Sequence, residues 1–565
     1  MDLPENYLIW KKQMLPKHLA EQLAQMSREE IIEAFTSNLE FGTAGMRGTV
    51  GPGTSRINEV TIIKATTAVV EYLKTQFSKE ELKERGVVIA HDNRHFSKEF
   101  ALLTAQILAH QGVLAYLFKD NDLRPTPVLS YSIRKINAVT GIVITASHNP
   151  PEYNGYKIYD QNGCQFLPDV TNIIADNMLK LKDQFEFNFS YDETLIKEVP
   201  LAIEEQYRND IKSLQFYPNE KRNIKIVFSN LHGTSREWVL PILKECGYEV
   251  IIVKEQADYD PDFKGVVSPN PEIKATFGLA IKYAKENDAD LVILNDPDAD
   301  RIGIAVKHQG KYVLLNGNET APILLEYLLS HYQKSNTMPK NPVMYNTFVT
   351  GTLSDQVAKS YDCQVIKTLT GFKWIGAEIL KEKQRGINFV FGFEEAYGYV
   401  IKDITRDKDG IQAAMVLAEA CWYYLQQSKT LIDVLTWIYQ KFGYYYCYTV
   451  NLVLKGQSGQ KQIASMIDIL RKEDIKSLAQ NVLEKKEDYL NGLYNMPGQN
   501  LLKFYFQDGS WFAVRPSGTE PKIKFYFVCI DNSIAQAKAK MHNMYHDLAE
   551  NYLKLTVTKE QLNDD

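Results

Sequence analysis

The chain has 565 residues, 45% apolar and 24% charged, which fits a globular protein of roughly four domains of ~150 residues each. Its formal net charge of -6 argues against a nucleic-acid partner, so any anion it holds must meet a local cluster of positive charge. No apolar run is long enough for a membrane span, the Met-Asp-Leu-Pro-Glu start has no leader pattern, and the Gln561-Leu-Asn-Asp-Asp565 tail has no lipidation signal. The expectation is a cytoplasmic protein with no membrane or nucleic-acid partner. Six scattered cysteines (Cys164, Cys246, Cys363, Cys421, Cys447 and Cys529) form no Cys-x-x-Cys pair and fit a reducing compartment.

Residues 1 to about 40 read as helical segments rich in Leu, Lys and Glu. Phe41-Gly-Thr-Ala-Gly-Met-Arg-Gly-Thr-Val-Gly-Pro-Gly53 then places five glycines within twelve residues around Arg47. Such a loop brings backbone N–H groups close to an anion, and it reads equally as a flexible connection. A helix is expected over Ser55 to Phe77. The strand Val87-Val-Ile-Ala90 ends in polar His91-Asp-Asn-Arg94, and Ser97 is expected to cap the next helix, to about Gln111. Val113 to Phe118 is the next strand. Ile142 to Ile144 reads as a buried strand that stops at Thr145-Ala-Ser-His-Asn149, where Pro150 and Pro151 block a helix.

The alternation restarts with Ile224-Lys-Ile-Val-Phe228, a helix to Cys246 containing Pro241, and the strand Glu249 to Val253. Asp290-Leu-Val-Ile-Leu294 ends at Asn295-Asp-Pro-Asp-Ala-Asp-Arg301. A third round holds Val343-Met-Tyr345, and Phe389-Val-Phe391 ending at Gly392-Phe-Glu-Glu395. Strands alternating with helices imply βαβ units and mainly parallel sheets. After about residue 440 the sequence turns to short Tyr-rich strands and helices, an α+β pattern. The expected fold class is α/β: three related α/β domains with mixed, mainly parallel sheets (1–200, 201–318 and 319–440), plus a C-terminal α+β domain (441–565).

Each of these strands delivers polar residues at its carboxyl end, where ligands bind in open α/β sheets. Asp296, Asp298 and Asp300 are three carboxylates at alternate positions on one tight loop. They repel unless a cation sits among them, and an oxygen-only set suits a hard ion such as Mg²⁺ better than a solvated turn explains it. An EF-hand fails, because its Gly and Glu positions are Arg301 and Lys307. Ser147 is the candidate nucleophile. Adjacent residues do not easily form a Ser–His pair, so His148 reads by itself as a loop hydrogen-bonder. Arg47 and Lys157 are placed to neutralise a phosphate on Ser147. Lys373 in Thr370-Gly-Phe-Lys373 is a further positive group. Glu394, beside Glu395, reads as a sugar-hydroxyl contact or a solvated turn. Arg515-Pro-Ser-Gly-Thr-Glu-Pro-Lys522 has the chemistry of a phosphate clamp. No P-loop and no Gly-x-Ser-x-Gly elbow occur.

Taken together, Thr145-Ala-Ser-His-Asn-Pro150 with Asn154-Gly-Tyr-Lys157, Asp296-Pro-Asp-Ala-Asp-Arg301, Glu394-Glu-Ala-Tyr-Gly398 and Arg515-Pro-Ser-Gly-Thr519 resemble the α-D-phosphohexomutase superfamily over nearly the whole chain. The resemblance implies four domains around a central cleft and a phosphoserine at Ser147. It implies Mg²⁺ on Asp296, Asp298, Asp300 and the serine phosphate, with Arg47, His148, Lys157 and Arg301 serving the transferring group. Glu394 would contact the sugar, and Arg515, Ser517, Gly518 and Thr519 would hold the non-transferring phosphate. The implied reaction interconverts glucose 1-phosphate and glucose 6-phosphate through glucose 1,6-bisphosphate, in a monomer or weak homodimer. Many members carry Ser where this chain has Ala396, which leaves mannose and pentose phosphates as alternative substrates. A Mg²⁺-dependent phosphatase and an inactive sugar-phosphate-binding regulator are the readings from other classes.

Overall fold

The computed structural model describes residues 3–41, 45–454, 456–517 and 522–562. It divides into two compact units, Met1–Asn316 with Gly371–Ser428, and Gly317–Thr370 with Lys429–Asp565.

The first unit opens with three short helices, Glu5–Trp10, Lys17–Gln25 and Arg28–Phe35. Its first sheet holds β1 (Met46–Thr49), β2 (Val87–His91), β3 (Ala115–Leu117), β4 (Thr140–Ile144), β5 (Tyr153–Asp160) and β6 (Ile196–Glu198), in the order β1-β5-β4-β2-β3-β6. Pairing is parallel from β4 through β2 and β3 to β6, and antiparallel at β4–β5 and β5–β1. The alternation of β4 explains how the sheet is covered. Ile142 and Ile144 enter the core shared with helices Glu59–Gln76, Ser97–His110 and Pro168–Lys180. Gly141 turns to the other face, where a Cβ would stand 2.2 Å from Ile133 Cδ1, so helix Thr126–Ile136 packs as close as it does because residue 141 has no side chain.

The second sheet holds β7 (Lys225–Ser229), β8 (Glu249–Ile252), β9 (Leu291–Asn295), β10 (Ile302–His308) and β11 (Lys311–Leu315), in the order β11-β10-β9-β7-β8. β7 is parallel to β8 and β9, while β9–β10 and β10–β11 are antiparallel. All five residues of β9 are buried, as its unbroken apolar run requires. The unit is completed by helix Phe372–Lys383, the hairpin Asn388–Glu394 with Gly398–Val400, and the buried helix Gly410–Leu425.

In the second unit, parallel strands Pro342–Thr347 and Gln364–Thr368 accompany helices Gly317–Lys334 and Leu431–Phe442. A separate antiparallel sheet is built on Tyr444–Val453 paired with Lys522–Asp531, followed by Trp511–Pro516, Leu502–Phe506 and Asn481–Asp488. Residues of helices Gly456–Lys472 and Ile534–Asp547 join that sheet's core.

Several local expectations need correction. The helix expected from Ser55 begins at Glu59, because Asn58 forms a reciprocal capping box with Thr61. Ser97 does not cap its helix: Phe96 takes the cap position in the left-handed region (φ 63°), and the Ser97 hydroxyl donates to Asp92 at 2.8 Å. The helix containing Pro241 ends at Glu245. The paired C-terminal strands Tyr444–Val453 and Lys522–Asp531 are ten residues long rather than short.

Candidate active site

Between β4 and β5 the chain turns through Thr145 to Pro151, and Ser147 stands in that loop at 2% exposure with φ 52°. The Ser147 N–H donates to Thr145 Oγ1 at 2.8 Å, and its Oγ donates to Asp296 Oδ2 at 2.8 Å. Ser147 Oγ also lies 3.1 Å from His148 Nδ1, so the adjacent pair does meet, contrary to expectation. The left-handed backbone at Ser147 swings the two side chains together, a conformation the residue sequence does not announce. Burial, with the Arg301 and Arg47 charges, pushes the His148 pKa well below the usual imidazole value. Arg47, on β1 opposite Gly155, donates to Asn149 Oδ1 at 3.0 Å.

Asp296, Asp298 and Asp300 follow β9 as expected, all buried, with one oxygen of each within 4.8 Å of the others. Ala299 takes φ 58°, which curls the loop back on itself. Asp298 accepts from Lys157 Nζ at 2.8 Å and from Thr126 Oγ1 at 3.1 Å. Asp300 lies 3.1 Å from Lys408 Nζ and 3.8 Å from Lys157 Nζ. Lys157 thus meets the acidic loop rather than Ser147. Burial and the Asp298 and Asp300 charges raise the Asp296 pKa well above the carboxylate range. Burial acts the same way on Asp298, but the Lys157 ammonium outweighs it and lowers that pKa.

Among the described residues, Asp298 Oδ1 and Asp300 Oδ1 are buried oxygens with no hydrogen-bond partner. Three crowded carboxylates, one with a raised pKa and two with orphaned oxygens, form a group able to hold a hard divalent cation.

Around this centre, Arg301 donates its backbone N–H to Asp296 Oδ1 at 2.9 Å and pairs through its guanidinium with Glu272. Glu394 ends its strand and accepts the Gly371 N–H at 2.7 Å, and burial raises its pKa. Ala396 is half-buried in the same hairpin turn. Lys373 is buried, and that burial lowers its pKa to about 8. In the other unit, Arg515 lies on strand Trp511–Pro516 opposite Lys524, and the Ser517 N–H donates to Lys522 O at 2.7 Å. Gly518 and Thr519 lie outside the described residues, as do Gly42, Thr43 and Ala44 of the glycine-rich loop.

Sequence reasoning missed Lys408 and Arg94. Lys408 bridges Asp300 to Asp407, 3.0 Å away, and fits because Gly398 carries no Cβ; one would stand 2.1 Å from Lys408 Cδ. Burial alone would lower its pKa, but Asp300, Asp407 and Glu394 outweigh it, so Lys408 stays charged. The guanidinium of Arg94 is buried under the Ser147 loop. The signal for Arg94 was present, since His91-Asp-Asn-Arg94 ends a strand as the other motifs do.

Sequence profiles of phosphoglucomutase/phosphomannomutase match the chain in succession: alpha/beta/alpha domain I at residues 38–185, domain II at 205–310, domain III at 316–442 and the C-terminal domain at 466–540. The chain belongs to the phosphoglucomutase/phosphomannomutase family. Its members are phosphohexomutases, and the chain is accordingly an isomerase. It is 32% identical over 561 residues to a phosphoglucomutase of Staphylococcus haemolyticus (strain JCSC1435), covering 96% of this chain and 99% of the relative. It is 34% identical over 520 residues to a phosphomannomutase of Mycoplasmoides pirum, covering 91% and 92%. The fold is that of Paramecium parafusin, a phosphoglucomutase solved in an open form, with a TM-score of 0.67 at 20% identity over 91% of this chain and 96% of that one. Among the described residues, no helix of this phosphohexomutase is long and apolar enough to cross a membrane.

Proposed function

We propose that this phosphohexomutase interconverts glucose 1-phosphate and glucose 6-phosphate, with Ser147 as the phosphate carrier and glucose 1,6-bisphosphate as the intermediate. The observation that carries the reading is the 2.8 Å contact of Ser147 Oγ with Asp296, inside a carboxylate triad that still has orphaned oxygens. A hydroxyl there has its own cation site beside it, which is what a group carrying about two negative charges needs. Asp296, Asp298 and Asp300, with the phosphate on Ser147, would hold Mg²⁺, which supplies charge neutralisation and is worth several kcal/mol.

In the first half-reaction the free sugar hydroxyl attacks the Ser147 phosphorus in line. The bond from phosphorus to Ser147 Oγ breaks, the bond to the sugar oxygen forms, the sugar hydroxyl loses its proton and Oγ gains one. His148, whose Nδ1 lies 3.1 Å from Oγ, is the group of this chain positioned to serve that oxygen. After the bisphosphate reorients, its other phosphate returns to Ser147. Phosphate monoesters are so inert that enzymes acting on them reach up to ~10²¹-fold acceleration, about 28 kcal/mol. The charges of Arg47, Arg301, Lys157 and Lys373 and precise placement must supply what the cation does not. Glu394 would orient the sugar hydroxyls, Ala396 would line that contact, and Arg515, Ser517, Gly518 and Thr519 would clamp the far phosphate. The domain division near residues 200, 318 and 440, a cytoplasmic location, and a monomer or weak homodimer belong to the same reading. Six free cysteines agree with a reducing compartment.

Phosphomannomutase activity is the second reading, favoured by the Mycoplasmoides pirum relative, while Ala396 in the sugar loop leaves the sugar open. Mutase rates on glucose, mannose and ribose 1-phosphates, with Mg²⁺ and a trace of the matching bisphosphate, decide between them. The highest kcat/KM is expected with glucose 1-phosphate; a preference for mannose or ribose 1-phosphate overturns the glucose assignment.

A further inference from the structure

The loop that carries Ser147 has a supply problem. Pro150 and Pro151 bring no backbone N–H, yet the carbonyls around them turn inward. One side chain from elsewhere meets them. Arg94 Nη1 donates to Pro150 O at 2.7 Å and Tyr153 O at 3.0 Å, and Arg94 Nη2 donates to Ser147 O at 2.7 Å and Asn149 O at 2.5 Å. The Arg94 side chain has no solvent exposure. Behind it, Arg94 Nε stands 3.2 Å from Asp92 Oδ2 as an ion pair without hydrogen-bond geometry, and Asp92 Oδ1 accepts the Arg94 backbone N–H at 3.0 Å and the Ser97 hydroxyl at 2.8 Å. Its open face is covered by the Phe263 ring at 5.0 Å. Phe263 arrives on a segment that grips the same turn, through Asn93 donating to Asp260 O at 3.0 Å and His95 against Asp262 at 2.6 Å.

We propose that Arg94, covered by Phe263, is a positioning residue that holds the Ser147 loop in its reactive shape; the proposal rests on Ser147 being the phosphate carrier. Ser147 sits at φ 52°, a backbone state that L-residues leave unless neighbours enforce it. Its oxygen must occupy the same place when it gives up the phosphate and when it takes one back. A planar guanidinium with two terminal nitrogens can tie four carbonyls at once, whereas an ammonium offers its three donors from a single point. Arg94 acts through the Ser147 loop and not on the substrate, so its loss is read in kcat and not in substrate binding.

The test compares wild type, Arg94→Lys and Phe263→Leu in two measurements. One is steady-state mutase kinetics on glucose 1-phosphate. The other is the rate at which intact mass shows one phosphate added after mixing with glucose 1,6-bisphosphate. Arg94→Lys keeps the charge but not the fork, and it is expected to lower kcat and phosphate uptake by ~100-fold, the scale of a misplacement of about 1 Å. KM for glucose 1-phosphate stays within about 3-fold, because uniform binding is untouched. Phe263→Leu keeps every hydrogen bond and is expected to show a smaller fall in kcat at unchanged KM. Wild-type kcat in Arg94→Lys, or a loss carried wholly by KM, overturns the proposal. Should Arg94→Lys fail to fold, Phe263→Leu decides, and an unchanged kcat there overturns it. A wild type that carries no phosphate either as isolated or after the bisphosphate, by contrast, overturns the carrier role of Ser147 and this proposal with it.

Discussion

Ser147 pays a conformational cost of ~1–2 kcal/mol for its left-handed backbone, and the return is an oxygen aimed at both Asp296 and His148. That geometry was not legible in the sequence. Residue types identified Ser147 and the acidic triad, but the Ser147–His148 contact depends on one dihedral, and Lys408 reaches Asp300 from 108 positions away. Lys373 gives a prediction at this scale. Burial lowers its pKa to about 8, so it loses its positive charge as pH rises through that value. If it helps hold a phosphate, kcat/KM falls above pH about 8, and Lys373→Arg moves that limb upward because guanidinium stays protonated. A pH–rate profile without that limb, or one unchanged by Lys373→Arg, removes Lys373 from the phosphate site. Lys157→Met strips Asp298 of its 2.8 Å partner in a buried site, so stability measured by denaturant unfolding is expected to fall by ~3–5 kcal/mol, and a loss no larger than that of a surface lysine contradicts the buried pair.

Strand ends carry the site. β4 delivers the Ser147 loop, β9 the acidic loop and Asn388–Glu394 the glutamate proposed to contact the sugar, each where an apolar run stops. This was the part the sequence made plain, because buried strands have a strong signature and the polar residues begin abruptly after them. Helix starts were harder, since Asn58 and Phe96 set them by capping chemistry and backbone sign rather than by periodicity. Arg515, singled out for its phosphate-clamp chemistry, lies within a paired strand, which that residue pattern does not announce. The hairpin turn offers the test for elements. Gly398→Ala puts a Cβ into Lys408, so stability is expected to fall by ~1–3 kcal/mol, with kcat reduced as Lys408 leaves Asp300. Denaturant unfolding checks the first outcome and mutase kinetics the second; an alanine variant with wild-type values of both contradicts the close approach.

For the whole molecule, the acidic triad is a stored repulsion that Lys157 and Lys408 relieve only in part, leaving two carboxylate oxygens for a cation. Mg²⁺ that binds the native state alone stabilises it by ~2.7 kcal/mol at a concentration 100 times its Kd. Thermal unfolding is therefore expected to move up with Mg²⁺ and down with chelator in wild type. Asp296→Asn replaces a buried carboxyl that resists ionisation without a cation and removes one cation ligand, so its Tm in chelator is expected to match or exceed that of wild type while the Mg²⁺ shift shrinks. A full Mg²⁺ shift in that variant contradicts the cation site. The central claim, that Ser147 carries the phosphate, is tested most directly by locating it. The protein is incubated with glucose 1,6-bisphosphate, then digested and mapped by mass spectrometry, with Ser147→Ala alongside. One phosphate is expected on Ser147, chased off by glucose 1-phosphate, with neither label nor mutase activity in Ser147→Ala. Phosphate on an aspartate of the 296–300 loop, or mutase activity surviving in Ser147→Ala, would contradict that claim.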